Sequence, residues 1–134
     1  EFGNVAPSLI HKFLIAKKNN TPVEVWGTGE AIRDFSHSID ISKSLYEIML
    51  NLSGPVNIGS GKKHKIKEIV QILSELHGSD IEVIFDKSKP DGQLARYFNI
   101  DKLLDTNFVP EYNLEEGIKL TSLWLEENYS IARL

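Results

Sequence analysis

Two arginines stand where the chain could bind a phosphate group. Arg33 follows a glycine-rich turn, and Arg96 follows a Pro-Asp-Gly turn. The planar guanidinium offers paired N–H donors that match two oxygens of a phosphate. Asn57, at the end of a short apolar stretch, could orient the same group. The competing interpretation pairs Arg33 with a carboxylate such as Asp34. It makes Arg96 and Asn57 ordinary surface or capping residues.

The turn before Arg33 has the glycine spacing of a nucleotide-binding loop. Gly27 and Gly29 follow an alternating strand pattern, as in the dinucleotide-binding GxGxxG motif. That motif needs a third glycine and a helix N-terminus for the pyrophosphate. Here the third position is Ile32, and an extended segment follows. We therefore predict no cofactor-binding residue at this turn. A P-loop over residues 54–60 is excluded because Ser60 replaces the required lysine.

Two neighbouring features each have two interpretations. Trp26 could stack on a nucleobase, or it could be a core residue at the end of a strand. The basic run of residues 62–65 could attract an anion, but a solvated loop and helix start explain it equally well. No ligand is assigned to that run.

No catalytic or metal-binding residue is predicted in the chain. No tyrosine is followed four residues later by a lysine, so the Tyr-x-x-x-Lys acid–base pair is missing. His37 and Asp40 have no serine nucleophile in an elbow motif, which favours structural roles for both. The four histidines lack metal-ligand spacing, and there is no cysteine.

Length and composition indicate one globular domain. The 134 residues are 41% hydrophobic, which is enough to fill a single core. A formal net charge of −4 argues against nucleic-acid and anionic-lipid partners. No apolar run reaches the roughly 20 residues that span a bilayer, and the first residues lack a secretory pattern. We expect a soluble, cytoplasmic protein. Because residues 1–4 enter a helical pattern without a starting methionine, we also expect a piece of a longer protein.

Periodic apolar positions predict an α/β fold with a small sheet of short strands and four or five helices. Helices are predicted from Pro7 to Lys18, from Asp40 or Ser38 to Leu52, from Ile66 to Gly78, from Asp101 to Asp105, and after an Asn113 capping box. Strands are predicted at residues 23–26, 56–58 and 81–85, with an extended segment at residues 33–37. The second helix carries one apolar stripe, formed by Ile41, Leu45, Ile48, Met49 and Leu52.

Four short sequence motifs occur in order along the chain. Residues 25–40 read V-x-G-x-G-x-x-x-R-D-F-x-H-x-x-D, residues 57–61 match N-I-G-x-G, residues 89–96 begin with a K-P-D-G loop, and residues 113–128 are similar to a closing S-x-E-E-G-L…W helix. Together they resemble the extended short-chain dehydrogenase/reductase family, the NAD-dependent epimerases and dehydratases that act on nucleoside-diphosphate sugars. Ser38 and Asn99 depart from the family pattern.

The resemblance implies that residues 1–134 are the C-terminal substrate-binding domain of a Rossmann-type enzyme. The NAD(P)-binding domain would then be absent from this chain. By the same resemblance, six residues bind substrate. Arg33 and Arg96 hold the diphosphate and Asn57 lies beside it, whereas Asn4 and Trp26 border the nucleotide. Lys89 matches the version of its loop that GDP-L-fucose synthase-like enzymes carry.

This resemblance also sets expectations about partners. The parent would be an epimerase, reductase or dehydratase that uses NADP or NAD, and a GDP-sugar is the favoured substrate. Enzymes of UDP-, dTDP- and CDP-sugars remain alternatives. The isolated chain would be inactive and would bind no cofactor, because it lacks GxxGxxG and YxxxK. The missing Rossmann domain and a second copy of the chain are further expected partners. The alternative is a stand-alone, non-catalytic module that binds nucleotide sugars or proteins.

Overall fold

The computed structural model describes residues 4–132, which confirm the α/β prediction. The helices are α1 (Val5–Asn19), α2 (Ser38–Asn51), α3 (Ile66–His77), α4 (Asp101–Leu104) and α5 (Leu114–Asn128). The strands are β1 (Val23–Trp26), β2 (Ile32–Arg33), β3 (His64–Lys65), β4 (Val83–Asp86) and β5 (Ala95–Arg96). Residues 1–3 of the expected opening segment lie outside the described residues.

The strands form two small sheets instead of one. β1 and β4 pair in parallel, with Val23 opposite Val83. In the second sheet β2 lies in the middle, antiparallel to β3 and parallel to β5. These two-residue strands have no apolar alternation in the sequence, so β3 and β5 were not predicted. The second sheet nevertheless brings distant turns together around β2.

The main core lies where helices α1, α3 and α5 pack together beside β1. In β1 the side chains alternate, so that Val23 and Val25 are buried while Trp26 is exposed. Phe13 of α1 and Leu73 of α3 are fully buried in the same cluster. This packing gives the turns that leave β1 and β2 a rigid support.

The helix ends follow their predicted capping chemistry in two cases. Asn113 accepts a hydrogen bond from the Glu116 amide, and the Glu116 carboxylate accepts one from the Asn113 amide, both at 3.0 Å. This confirms the capping box of α5. Gly78 ends α3 with a positive φ of 140°, a conformation that favours glycine.

Neither Ser38 nor Asp40, at which α2 was predicted to begin, is the N-cap residue of this helix. His37 is the N-cap residue, and its ring accepts a long hydrogen bond from the Ile39 amide. Asp40 is buried and instead accepts hydrogen bonds from the amides of Glu111 at 2.9 Å and Tyr112 at 3.2 Å. Its carboxylate therefore holds the segment before α5 against α2, a tertiary role that local sequence does not reveal.

The predicted strand at residues 56–58 is also wrong. This segment has no strand partner in the described part of the chain. A strand needs a neighbour for its backbone N–H and C=O groups. Val56 packs instead beside a small second cluster of Ile100, Leu103 and Phe108. Of the extended segment at residues 33–37, only Arg33 lies in a strand.

One face of α2 remains exposed. Its apolar stripe is only partly covered: Leu45 is 53% and Met49 71% exposed, and the neighbouring Tyr46 and Leu50 are exposed as well. The buried residues of α2 are the polar pair Asp40 and Ser44. An exposed apolar patch of this kind is typical of a surface that another protein segment covers.

Candidate anion-binding site

Arg33 and Arg96 occupy paired positions on neighbouring strands. The parallel register of β2 and β5 places Ile32 opposite Ala95 and Arg33 opposite Arg96. On the other side of Arg33, the antiparallel strand β3 contributes His64. Directly paired residues project from the same face of a sheet, and like charges there repel each other. A bound anion between the two guanidinium groups would convert that repulsion into attraction.

The predicted alternative pairing of Arg33 with Asp34 is wrong. The Asp34 carboxylate accepts hydrogen bonds from the amide and hydroxyl of Ser60, at 2.8 and 2.7 Å, and from the amide of Gly61 at 3.1 Å. Arg33 Nη1 donates to the carbonyl oxygens of Ile32 and Gln93, each at 2.7 Å. Within residues 4–132 no carboxylate forms an ion pair with Arg33.

Arg96 is exposed and likewise has no carboxylate partner in the described ranges. The segment that follows it is held by two contacts. Asn57 Nδ2 donates to the carbonyl of Asn99 at 3.0 Å, and Lys63 Nζ lies 3.9 Å from the centre of the Tyr97 ring. Asn57 thus supports the chain just beyond Arg96.

Part of the basic run of residues 62–65 is paired with carboxylates. Glu30 accepts hydrogen bonds from Lys65 and Lys67, each at 2.6 Å. These side-chain hydrogen bonds, that of Lys65 first, lower the pKa of Glu30 to about 2. His64 Nδ1 lies 2.8 Å from a carboxylate oxygen of Glu68. Lys65 and Lys67 therefore have a carboxylate partner, whereas Arg33 and Arg96 have none within residues 4–132.

Trp26 is 56% exposed, so the interpretation as a core residue is wrong. Its indole Nε1 donates to Glu24 Oε1 at 3.0 Å, which fixes the ring against the edge of β1. Lys89 Nζ lies 5.5 Å from the centre of the ring. A flat, accessible aromatic face next to a cation is a suitable stacking surface for a base.

A hydrogen-bonded loop contact connects the tryptophan side to the arginine side. The Asp91 carboxylate accepts from the Thr28 amide at 2.7 Å and from the Thr28 hydroxyl at 2.8 Å. These two hydrogen bonds, the hydroxyl first, lower the pKa of Asp91. The carbonyl of Gln93, two residues further on, accepts from Arg33. Sequence reasoning did not single out Thr28, Asp91 or Gln93, because their contacts join residues far apart in the chain.

The structure brings four of the six predicted residues together as two pairs, which the loop of residues 89–93 connects. Trp26 and Lys89 are neighbours, and Arg33 and Arg96 are neighbours. Asn57 reaches these residues only through Asn99. Asn4 is the exposed N-cap residue of α1. Within residues 4–132 no hydrogen bond or ring contact joins Asn4 to the other five.

Residues 4–132 also show neither a metal site nor a membrane-spanning helix. Between residues 4 and 132 no group of three histidine or acidic side chains is arranged to hold a metal ion. Over the same range no helix is both long enough and apolar enough to cross a bilayer.

The fold places the chain among extended short-chain dehydrogenase/reductase epimerases and reductases. It matches a GDP-L-fucose synthetase from Naegleria fowleri bound to NADP with a TM-score of 0.90 and 30% identity, over 98% of this chain and 43% of that one. It matches MlghC, a GDP-mannoheptose C4 reductase from Campylobacter jejuni with NADP bound, with a TM-score of 0.79 and 25% identity. That match covers 94% of this chain and 46% of the other. No protein-family profile matches the chain.

Relatives with assigned names show which members of this family the chain resembles. A protein named probable GDP-L-fucose synthase 1, from Oryza sativa subsp. japonica, is 35% identical over 136 residues, which cover 99% of this chain and 42% of that protein. The chain is therefore homologous to GDP-L-fucose synthase-like members of the extended short-chain dehydrogenase/reductase family. It spans about two fifths of the length of those relatives.

Proposed function

We propose that this chain is the sugar-nucleotide-binding part of an NADP- or NAD-dependent epimerase/reductase, with a GDP-sugar as the favoured ligand. The observation that carries the proposal is the pairing of Arg33 with Arg96 on one face of the second sheet. The relatives support the ligand class, because their names specify GDP-L-fucose synthase and GDP-mannoheptose reductase.

The diphosphate would lie between the two guanidinium groups. Hydrogen bonds to charged groups contribute about 1.5 to 3 kcal/mol each, so two arginines can supply a large part of the affinity. Trp26 would stack on the base, with Lys89 beside it. Asn57 would support the phosphate region, and Asn4 would border the nucleotide as the family resemblance implies.

The chemistry would take place against a part of the parent protein that this chain does not include. The cofactor and the acid–base pair would belong to a Rossmann domain, and this chain would hold the substrate. Binding energy from the diphosphate would then position the sugar carbon for reaction. The isolated chain would bind substrate weakly and would have no activity.

Two features of the chain support the proposal that a further domain packs against it. The exposed α2 residues Leu45 and Met49 need an apolar cover, and residues 56–58 lack a strand partner within the described part of the chain. The relatives have more than twice the matched length, since the chain covers 42% of the rice protein. We therefore propose that the missing domain covers α2. The cytoplasmic location stays a prediction.

Calorimetric titration with GDP-mannose, UDP-glucose and GDP tests the proposal. The wild-type chain should bind GDP compounds more tightly than UDP-glucose. Arg33→Ala and Arg96→Ala should each weaken binding about tenfold or more, which corresponds to about 1.4 kcal/mol. Lys18→Ala is the matched control, because it removes an exposed positive charge at the end of α1.

Two outcomes would contradict the proposal. Equal affinities of wild type, Arg33→Ala and Arg96→Ala would show that the arginines do not hold the diphosphate. Absence of binding to any nucleotide at millimolar concentration would show that this chain does not carry the site.

A further inference from the structure

We infer that Asp91 is a positioning residue of the nucleotide site: it fastens the loop of residues 89–93 to the turn at Gly27 and Thr28, and so sets the spacing between Trp26 and Arg33. The inference rests on the proposed function. It adds a residue that touches neither the base nor the phosphates but decides where the groups that do so are held.

The contact between Asp91 and the turn is specific. One carboxylate oxygen accepts from the Thr28 amide at 2.7 Å, and the other accepts from the Thr28 hydroxyl at 2.8 Å. Gly27 has a φ of 80°, and a Cβ atom built there would lie 2.3 Å from Asp91 Oδ1. Glycine is therefore required at this position both for its backbone conformation and for the approach of the carboxylate.

The loop that Asp91 fastens contacts both halves of the site. At its beginning, the Lys89 amide donates to the Asp86 carbonyl at 3.1 Å, and Lys89 Nζ lies over the Trp26 ring. At its end, the Gln93 carbonyl accepts from Arg33 Nη1 at 2.7 Å. Movement of the loop would therefore displace Lys89 from Trp26 and remove a hydrogen bond from Arg33 at the same time.

The charge of Asp91 argues for an indirect role. A carboxylate near a bound diphosphate would repel it if the carboxylate faced the ligand. Both oxygens of Asp91 are instead occupied by Thr28, and these bonds lower the pKa of the carboxyl group, which keeps it ionised and able to accept. This geometry suits a contact that holds the loop of residues 89–93 against the turn at Gly27 and Thr28.

A purely structural role makes a different prediction from a positioning role. Thr28 is exposed and Asp91 only partly buried, so the loss of their contact should have little effect on global unfolding. If Asp91 positions the site, its replacement should change the loop and the affinity for nucleotide while the unfolding transition stays nearly constant. Both properties can be measured separately on the same variants.

The experiment uses the full chain in a Trp124→Phe background, in which Trp26 is the single tryptophan of the two in the sequence. Acrylamide quenching of Trp26 and amide hydrogen exchange of residues 89–93 report on the loop without ligand. Titration with GDP reports on the site. The variants are Asp91→Ala and Thr28→Val, and Thr28→Ser is the conservative variant that keeps the hydroxyl.

We expect faster amide exchange in residues 89–93, altered Trp26 quenching and about tenfold weaker GDP binding in Asp91→Ala. Thr28→Val should show a smaller loss, and Thr28→Ser should bind as the wild type does. Asp105→Ala is the charge-matched control, because Asp105 is exposed and makes no side-chain hydrogen bond to the rest of residues 4–132. In an Arg33→Ala background, Asp91→Ala should cost less affinity than it does alone, because both act through the same contact.

The inference is overturned if Asp91→Ala leaves exchange and quenching unchanged, or if the loop opens and GDP affinity stays the same. In the second case, a loss of binding in Arg33→Ala would still support the proposed function. If wild type binds no GDP, the proposed function fails for this chain, and with it the positioning role. Faster amide hydrogen exchange of residues 89–93 in Asp91→Ala would then show that the contact between Asp91 and Thr28 stabilises the loop without a role in binding.

Discussion

Arg33 and Arg96 lie opposite each other on parallel strands β2 and β5, and neither has a carboxylate partner within residues 4–132. Like charges paired across neighbouring strands, with no carboxylate to balance them, are unfavourable for the ligand-free fold. Binding sites commonly sacrifice stability in this way, because the same arrangement becomes favourable when an anion is present. Stability and affinity should therefore change in opposite directions at these two positions.

The replacement Arg96→Gln tests this trade-off. It should raise the free energy of unfolding of the ligand-free chain by about 0.5 kcal/mol at low salt, because it removes the repulsion of Arg33. Urea unfolding at low and high ionic strength measures the effect, and added salt should reduce the difference by screening. Arg96→Lys keeps the charge and should not stabilise the chain. A gain in stability with Arg96→Lys as well would contradict the electrostatic explanation.

Asp40 should be the most important buried polar residue for stability. Asp40→Ala leaves the partly buried amides of Glu111 and Tyr112 without an acceptor, so we expect a loss of about 2 kcal/mol. Asp40→Asn keeps one acceptor oxygen and should lose less. Urea unfolding measures both, with Asp105→Ala as an exposed control. A loss below about 1 kcal/mol in Asp40→Ala would show that water replaces the carboxylate.

His77 should make the fold sensitive to mild acid. Burial lowers its pKa, nearby Lys17 lowers it further, and Glu126 opposes the shift. Its ring contacts the Ser122 hydroxyl of α5 at 2.8 Å. Because the unfolded chain binds the proton first, stability should be full above pH about 6.5 and fall as the pH drops below it. Unfolding free energies between pH 8 and 5 measure this. His77→Gln should flatten the profile, and an unchanged slope would exclude His77 as its source.

Gly27 should tolerate alanine less well than another glycine in a similar backbone conformation. Gly27→Ala combines a strained positive φ with a collision between the new Cβ atom and Asp91. Gly54 also has a positive φ, of 71°, but a Cβ atom built there has Lys102 Nζ as its nearest contact, at 3.9 Å. We expect Gly54→Ala to cost about 1 kcal/mol, mainly from strain, with no change in GDP binding. Gly27→Ala should also weaken GDP binding. Equal GDP affinities of the two variants would count against the close fit of Asp91.

The exposed face of α2 should make the isolated chain self-associate. Leu45 and Met49 present apolar surface that we assign to the missing domain, and a second copy can cover it in its absence. Met49→Lys should therefore shift sedimentation toward the monomer at high protein concentration. Lys18→Ala, remote from α2 in sequence, serves as the control. A wild-type chain that stays monomeric at every concentration would show that α2 needs no cover.

Local signals were enough to predict most helices. The capping box at Asn113 and the stop at Gly78 act within one helical turn, so the sequence specifies them directly. The alternation of Val23 and Val25 with Glu24 and Trp26 likewise identified β1. By contrast, residues 56–58 have a suitable strand composition but no partner, and a strand depends on its neighbour.

The α/β class, the family resemblance and the choice of Arg33, Arg96 and Trp26 as candidate site residues all follow from the order of the amino acids. Tertiary contacts were needed to show that Arg33 lies beside Arg96 and that Asp34 accepts hydrogen bonds from Ser60. They also show that Asp91 fastens one turn to another. This difference arises from distance along the chain. Helix caps and side-chain periodicity involve residues a few positions apart, whereas the site is made by turns that only sheet pairing and core packing bring together.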